Sequence, residues 1–280
     1  MAGFRQGAIG KVNEAGAPHL PGNVNQALID SYVAMRAGKA PSTIRSEVGI
    51  LSTALPWARR HGLINRVPAI QLPPASPPRD RWITKEEANR LLEAAVSPHM
   101  RLFILLARYT GARAGAILDL TWQRVTDGYI DYNNPAKRSS RKKRAVVPVH
   151  AELREALAEA RKKAMTPYVI EYGGGKVANV KKAFGRAAAR AGLDHVGPHT
   201  LRHSAATWMA MDGVPFQRIA AFLGNSVKMV ETVYAKYSPD YLADAVNSLG
   251  RGQSVQLNRT SAHKHGTRPE KLGLIAKKAS

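Results

Sequence analysis

The sequence predicts a mainly α protein with a small β-sheet, built as an α+β domain preceded by a small all-α domain. Apolar residues recur at helical spacing through most of the 280 residues. Only two short segments, 129–132 and 145–149, have the composition of strands. A proline-rich linker over 72–82 separates the two domains, and a chain of this length is expected to form one or two.

The N-terminal part of the chain is predicted to form the small all-α domain over residues 23–71. Residues 1–22, rich in Gly and Ala, precede it as a flexible segment. Apolar positions at helical spacing predict a first helix over 24–37. A second helical segment is expected over 41–62, and Pro56 should kink it or divide it in two.

The α+β domain is predicted over residues 83–249. It begins at a capping box, in which the Thr84 hydroxyl and the Glu87 carboxylate each accept a backbone N–H of the other residue. The two short strands should flank a basic turn. Residues 250–280 form a basic segment that we expect to be disordered. The expected helices of this domain cover 85–95, 98–109, 113–120, 151–164, 177–191, 199–212, 215–223, 226–236 and 239–248.

The charge balance favours a nucleic-acid partner. Lys and Arg number 42 against 20 Asp and Glu, which gives a net charge of +22. Such a chain repels itself unless a polyanion compensates, and nucleic-acid phosphate is the commonest one. Anionic lipid is the rival partner, but it usually requires an amphipathic basic anchor, which the sequence lacks. A basic protein with no polyanionic partner is the plainest alternative.

Several classes of protein are excluded by what the sequence lacks. Without cysteine there are no disulfides, thiolate zinc sites or cysteine nucleophiles. No apolar run approaches the roughly 18 residues of a membrane span, and residues 1–20 lack the apolar core of a signal peptide. We therefore expect a cytoplasmic protein without a membrane partner. The histidines lack metal-binding spacing and residues 173–176 lack the rest of a phosphate-binding loop, so no cofactor is expected.

Two basic features are candidate phosphate contacts. Arg113 follows a glycine break between two helices, where its guanidinium could project from a helix start toward an anion. The segment 137–144 places six cations in eight residues between the two strands. The plain alternatives are a surface arginine and a solvated turn.

A histidine, an arginine and a tyrosine are candidates for acid–base and nucleophilic chemistry. His199 and Arg202 share one face near a helix start, where they could combine proton transfer with a fixed charge. Tyr234 lies 32 residues after Arg202 on an amphipathic segment, and Tyr237 is its local competitor. A tyrosine becomes a nucleophile at neutral pH only where cations stabilise its phenolate. The alternative for each of these residues, and for His203, is ordinary capping or packing.

Taken in order, these segments resemble the tyrosine recombinase family, especially its phage-type integrases, over residues 23–248. Thr110-Gly-Ala-Arg113 with Leu120-Thr-Trp122 is similar to the first arginine box of the family. His199-Thr-Leu-Arg202-His203 is similar to its HxLRH box. Leu223-Gly-Asn225, followed nine residues later by Tyr234-Ala-Lys236, resembles its LGH…YxH ending.

The resemblance implies a helical DNA-clamping domain and a catalytic domain that cut and rejoin DNA through a 3′-phosphotyrosine. Tyr234 would then attack the phosphorus. Arg113 and Arg202 would bind the non-bridging oxygens and neutralise the growing charge. His199 would assist proton transfer at the tyrosine or contact the phosphate.

A basic residue of the turn would, by the same resemblance, protonate the departing 5′ oxygen. Lys137 is the first choice, with Lys142 and Lys143 as alternatives. The resemblance implies no metal or nucleotide, because the phosphotyrosine conserves the energy of the broken bond. It also implies double-stranded DNA as the partner, action at the nucleoid, and a homotetramer on DNA formed from free monomers. The apolar stripe of 239–249 either packs on its own domain or docks into a neighbouring protomer.

Three positions depart from the family pattern. Asn225 stands where the family has a histidine or tryptophan. Its amide can donate a hydrogen bond, but unlike histidine it cannot take up or release a proton. Ala116 stands where an acidic residue is frequent, so Arg113 loses a positioning partner. Lys236 replaces a common histidine. Asn225 and Ala116 favour one alternative, a DNA-binding protein that kept this scaffold with weakened catalysis; a structural basic protein on RNA is a separate, third class.

Overall fold

The computed structural model describes most of the chain, namely residues 24–75, 81–135, 145–238, Val246 and Leu249. These residues belong to two compact units that divide between Arg79 and Asp80, inside the proline-rich segment. Both units are mainly helical, and the described strands are short, so the predicted fold class is confirmed. The finer domain limits given above stay predictions.

Three helices form the described part of the first unit: α1 (Gln26–Met35), α2 (Pro41–Gly49) and α3 (Leu51–Arg60). Helix α1 begins where the Asn25 side chain accepts the backbone N–H of Leu28 at 2.9 Å, an N-cap. Ile29 and Tyr32 of α1 pack against Ile44 and Val48 of α2 in one apolar cluster.

The second helical segment divides at Ile50, and Pro56, which was expected to kink or divide it, lies inside α3 without dividing it. Gly49 precedes the break, and glycine is the poorest helix former after proline. Pro56 lies inside α3, where its missing N–H removes one hydrogen bond, the one to the carbonyl of Ser52. The helix tolerates that loss because Leu55 and Ala58 on either side of the proline are buried.

A buried carboxylate joins α1 to α2 in the first unit. Glu47 accepts the Tyr32 hydroxyl at 2.9 Å and a two-point contact from Arg36, at 2.7 and 3.1 Å. Burial, then the hydrogen bond to Glu47, raises the pKa of Tyr32 to about 12. The phenol therefore stays protonated and keeps donating to the carboxylate throughout the ordinary pH range.

The second unit alternates helices with two small hairpins. Its described elements are α4 (Lys85–Glu93), α5 (Pro98–Thr110), α6 (Ala114–Leu118), β1 (Tyr129–Asp131), β2 (Val146–Pro148), α7 (Ala151–Lys162), β3 (Glu171–Tyr172), β4 (Gly175–Lys176), α8 (Lys181–Arg190), α9 (Pro198–Met211), α10 (Phe216–Leu223), α11 (Val227–Tyr234) and a final 3₁₀ turn, Ala235–Tyr237.

Both hairpins are antiparallel. The predicted strands form the first, with Ile130 opposite Val147 and both side chains buried. The second, β3 with β4, was not predicted, because strands of two residues around a glycine turn leave no periodic pattern. The turn between β1 and β2, with Lys137, Lys142 and Lys143, lies outside the described residues.

Helices α5 and α9 pack against each other, and the first two turns of α9 carry the candidate site residues His199 and Arg202. Helix α5 has proline at its first position and Gly111, in the left-handed conformation, after its last. The predicted capping box of α4 is confirmed: Glu87 N–H donates to Thr84 Oγ1 at 3.1 Å and Thr84 N–H donates to Glu87 Oε2 at 2.8 Å.

The segments expected at either end of the chain, 1–22 and 250–280, fall outside the described residues. So does most of the helix expected over 239–248; of the apolar stripe there, only Val246 and Leu249 are described, and both are exposed. None of the helices in the described ranges is long and apolar enough to cross a membrane.

We expect Glu47→Ala to lower the free energy of unfolding of the first unit by about 2–4 kcal/mol, because it leaves Arg36 and the Tyr32 hydroxyl with no acceptor in a nearly buried site. Hydrogen exchange of the full chain, followed by mass spectrometry over residues 24–60, measures this change. Tyr32→Phe is the control and should cost only about 1 kcal/mol. Equal exchange in Glu47→Ala and the wild type would contradict the stabilising role of the carboxylate.

Candidate active site

The site begins at the C-terminus of α5, where the chain turns sharply. Gly111 has φ +56°, a conformation that favours glycine. A Cβ at this position would lie 2.7 Å from Leu223 Cδ2, so any other residue would also have to displace that leucine side chain. Two residues later, Arg113 has extended backbone angles and precedes α6. The turn thus projects the half-buried Arg113 side chain toward the end of α10.

Arg202 occupies the centre of the site and is only 5% exposed. Its guanidinium donates to the carbonyl of Gly111 at 2.7 Å and to the carbonyl of Leu223 at 2.8 Å. Burial, then repulsion from Arg113, lowers the pKa of Arg202 to about 10. The side chain therefore still carries its charge at neutral pH.

Asn225 bridges the two arginines. Its Oδ1 accepts from Arg113 Nη2 at 2.8 Å and from Arg202 Nη2 at 3.0 Å. Only the oxygen of the amide accepts hydrogen bonds, so the orientation of the amide follows from these two contacts. The acceptor for Arg113 that Ala116 fails to supply is thus provided by Asn225.

His199 lies in the first turn of α9, at the exposed edge of the site. Partial desolvation of the imidazole, then the charges of Arg202 and Arg113, lowers the pKa of His199 below its usual range. The ring is therefore neutral at pH 7 and has one nitrogen able to accept a proton.

Tyr234 ends α11 and is 6% exposed. Its ring lies 5.3 Å from the ring of His203, centroid to centroid. Its phenol is close enough to Arg202 for the two charges to interact, which tends to raise the pKa of the arginine. Tyr237, the competitor, instead packs edge-on against Trp82, with ring centroids 6.2 Å apart.

A cavity of about 330 Å³ opens beside the two arginines. Ala116 and Asp119 are among the residues that line it, and Asp119 pairs with Lys176 at 2.7 Å. No carboxylate among the described residues forms an ion pair with Arg113 or Arg202. Within the same ranges, His, Asp and Glu nowhere form a group that could hold a metal ion.

The structure therefore brings together five of the six residues predicted for the site: Arg113, His199, Arg202, Asn225 and Tyr234. Lys137 lies outside the described residues. The sequence pattern assigns no role to the carbonyls of Gly111 and Leu223, and it predicts only packing for His203. The glycine break before Arg113 and the spacing of His203, one turn after His199, were the available signals.

Two helix ends and two arginines with no carboxylate partner in the described part of the chain thus form a positively charged site beside a tyrosine, which suits an anion. The sequence pattern of the Phage integrase family matches residues 81–240. The chain belongs to this family, and its enzyme class is that of the tyrosine site-specific recombinases, which confirms the resemblance and the function predicted from it.

Its relatives are recombinases and integrases. The chain is 27% identical to the tyrosine recombinase XerC of Corynebacterium glutamicum over 77% of this chain and 74% of that protein. It is 26% identical to the integrase of Salmonella phage P22 over 81% of this chain and 63% of that integrase. The fold is similar to that of a lambda integrase tetramer bound to a Holliday junction, with a TM-score of 0.62 and 20% identity over 80% of this chain and 70% of the other.

We expect Asn225→Asp to change stability and activity in opposite directions. A carboxylate between the two arginines should add about 1 kcal/mol of stability, because it replaces a dipole by a charge. It should also slow DNA cleavage about 10- to 100-fold, since it competes with phosphate for the same guanidinium groups. Thermal unfolding and a cleavage assay measure the two effects. Asn225→Ala is the control and should lose stability; a faster Asn225→Asp enzyme would contradict this assignment.

The low pKa of His199 provides a second test. Arg113→Met removes one of the two charges that lower it, so the pKa of His199 should rise toward its usual value while desolvation and Arg202 keep it below that value. An NMR titration of the imidazole in the full chain measures this shift. Arg101→Met, a change at an exposed arginine near the other end of α5, is the matched control. An unchanged His199 titration in Arg113→Met would show that the two side chains do not interact.

Proposed function

We propose that this chain cuts and rejoins double-stranded DNA with Tyr234 as the nucleophile. The observation that carries the proposal is the convergence of two guanidinium groups on one oxygen, Asn225 Oδ1, near a buried tyrosine. Two N–H donors 2.8 and 3.0 Å from one atom form a site for an anionic oxygen. In DNA that atom is a non-bridging phosphate oxygen.

The reaction is an in-line transfer of the phosphoryl group. The Tyr234 oxygen forms a bond to phosphorus while the bond from phosphorus to the 5′ oxygen breaks, which leaves a 3′-phosphotyrosine and a free 5′ hydroxyl. Arg113 and Arg202 stabilise the additional negative charge of the five-coordinate state. His199, neutral at pH 7, accepts the phenol proton, and Lys137 donates a proton to the departing oxygen.

Asn225 would donate a hydrogen bond to the phosphate in this reaction, a role that its position between the two arginines supports. When a phosphate oxygen takes the position between the arginines, the amide rotates and Nδ2 donates to the phosphate. The asparagine thus replaces the hydrogen-bond donor that the family usually has as histidine or tryptophan. It supplies no proton, so proton transfer falls to His199 and Lys137 alone.

The partner and the assembly follow from the chemistry of strand exchange. Exchange joins two duplexes, each cut on one strand at a time, so we infer a homotetramer on DNA. The free protein is a monomer, because a net charge of +22 opposes association until DNA screens it. The lambda integrase of similar fold is a tetramer on its junction. The protein acts where chromosomal DNA lies, in the cytoplasm at the nucleoid.

We expect Tyr234→Phe to abolish covalent attachment to DNA while leaving affinity within about twofold, because the variant loses only the attacking oxygen and phosphate contacts dominate affinity. The probe is a nicked duplex selected by the full-length protein from a random-sequence pool, hereafter the selected duplex. The nick lets the cut end diffuse away and traps the adduct. Denaturing gels measure the adduct and fluorescence anisotropy measures binding.

Tyr237→Phe is the matched control and should form the adduct as the wild type does. An adduct in Tyr234→Phe but not in Tyr237→Phe would move the nucleophile to the 3₁₀ turn. Binding of the selected duplex without any adduct in the wild type would favour the alternative, a DNA-binding protein that has lost cleavage. The departures from the family pattern at Asn225 and Ala116 are the reason to test that alternative.

A further inference from the structure

The segment that leads from the linker into the second unit is fixed on α9. The backbone N–H of Ile83 donates to Ser204 Oγ at 2.9 Å, and Trp208 Nε1 donates to the carbonyl of Ile83 at 3.0 Å. Ser204 and Trp208 are four residues apart and share one face of the helix. The same helix carries His199 and Arg202, so these two hydrogen bonds fix the position of the Ile83 backbone relative to the anion-binding site.

Trp82, the residue before Ile83, connects this fixed backbone to the segment that carries the proposed nucleophile. Its side chain is 4% exposed and lies in one apolar cluster with Tyr234 and Tyr237. The ring meets that of Tyr237 edge-on, at an interplanar angle of 77°. Tyr237 ends the 3₁₀ turn that directly follows Tyr234, so the indole ring supports the segment that bears the attacking oxygen.

The contribution of Trp82 comes from its ring. Its indole Nε1 is buried and has no hydrogen-bond partner among the residues the structure describes. A buried unpaired donor costs about 1–3 kcal/mol, so hydrogen bonding does not explain a tryptophan here. The packing of the ring, in one apolar cluster with Tyr234 and Tyr237, is the feature that remains.

We propose that Trp82 is a positioning residue for the nucleophile. Through Ile83 it is fixed to the helix of Arg202, and through Tyr237 it sets the place of Tyr234 relative to the two arginines. Attack requires the phenol oxygen within about 3–3.5 Å of phosphorus, and a displacement of about 1 Å costs roughly 100-fold in rate. The proposal rests on the role of Tyr234 proposed above.

The test measures adduct formation in a single turnover, with the full-length protein in excess over the selected duplex. Trp82→Ala should slow adduct formation about 10- to 100-fold and change affinity for the duplex by less than about twofold. Trp82→Phe, which keeps an apolar ring and a folded core, should slow it less. Tyr237→Leu should reproduce the loss, and the double variant should lose no more than the larger single effect, since both act through one contact.

Phe184→Leu is the matched control for Tyr237→Leu. Phe184 is also a buried aromatic residue of the second unit. It packs in the other apolar cluster of the unit, edge-on against Phe103 with ring centroids 6.4 Å apart. Phe184→Leu should form the adduct at the wild-type rate.

A second readout separates positioning from general loosening of the unit. In a Tyr234→Phe background, hydroperoxide serves as an external nucleophile that needs the arginines but no protein tyrosine. Adding Trp82→Ala should leave hydroperoxide cleavage unchanged. Equal losses in adduct formation and hydroperoxide cleavage would overturn the proposal, as would wild-type adduct formation in Trp82→Ala. No adduct in the wild type itself would instead refute the role of Tyr234, and the proposal for Trp82 would fall with it.

Discussion

The buried guanidinium of Arg202 is the constraint on which the site depends. A buried charge is costly unless polar groups surround it, and here the ends of two helices supply them. Gly111 follows the last residue of α5, and Leu223 is the last residue of α10; each carbonyl accepts one hydrogen bond from Arg202. Helix C-termini carry partial negative charge, which suits a cation. The left-handed glycines 111 and 224 let both helices stop where these carbonyls face the arginine.

This arrangement stabilises the cation without neutralising it. Backbone carbonyls and the Asn225 amide are dipoles, so Arg202 and Arg113 keep their full charges close to each other. An acidic residue in place of Ala116 would have offset part of that charge. Burial, and then the repulsion between these neighbouring cations, lowers the pKa values of His199 and Arg202. An arriving anion relieves this repulsion, which makes phosphate binding favourable at this point.

Features that depend on residues close together in the sequence could be predicted, and contacts between residues far apart in the sequence could not. Helical periodicity, the capping box of α4 and the ordered series from Arg113 to Tyr234 are readable within short windows. The choice between Tyr234 and Tyr237 is not, because both lie on one amphipathic segment; the proposal of Tyr234 rests on its ring contact with His203, whereas Tyr237 packs against Trp82. The bridging role of Asn225 likewise depends on partners 112 and 23 residues away. Pro56 does not divide its helix, because the loss of one hydrogen bond is offset by the burial of Leu55 and Ala58 beside it.

Asn225 links the stability of the fold to the chemistry of the site. A neutral oxygen holds the two guanidinium groups at one point before substrate arrives, so little reorganisation remains when a phosphate oxygen replaces it. The exchange is favourable because a charged oxygen is a stronger acceptor than an amide oxygen for a guanidinium donor. In the mechanism proposed above, the attraction grows further as the five-coordinate state gains charge, so the arginines would bind that state more tightly than the intact phosphodiester. A carboxylate at position 225 would bind the two arginines as strongly as a phosphate oxygen does. The arginines would then gain little by exchanging it for the phosphate, and the preference for the five-coordinate state would no longer speed the reaction.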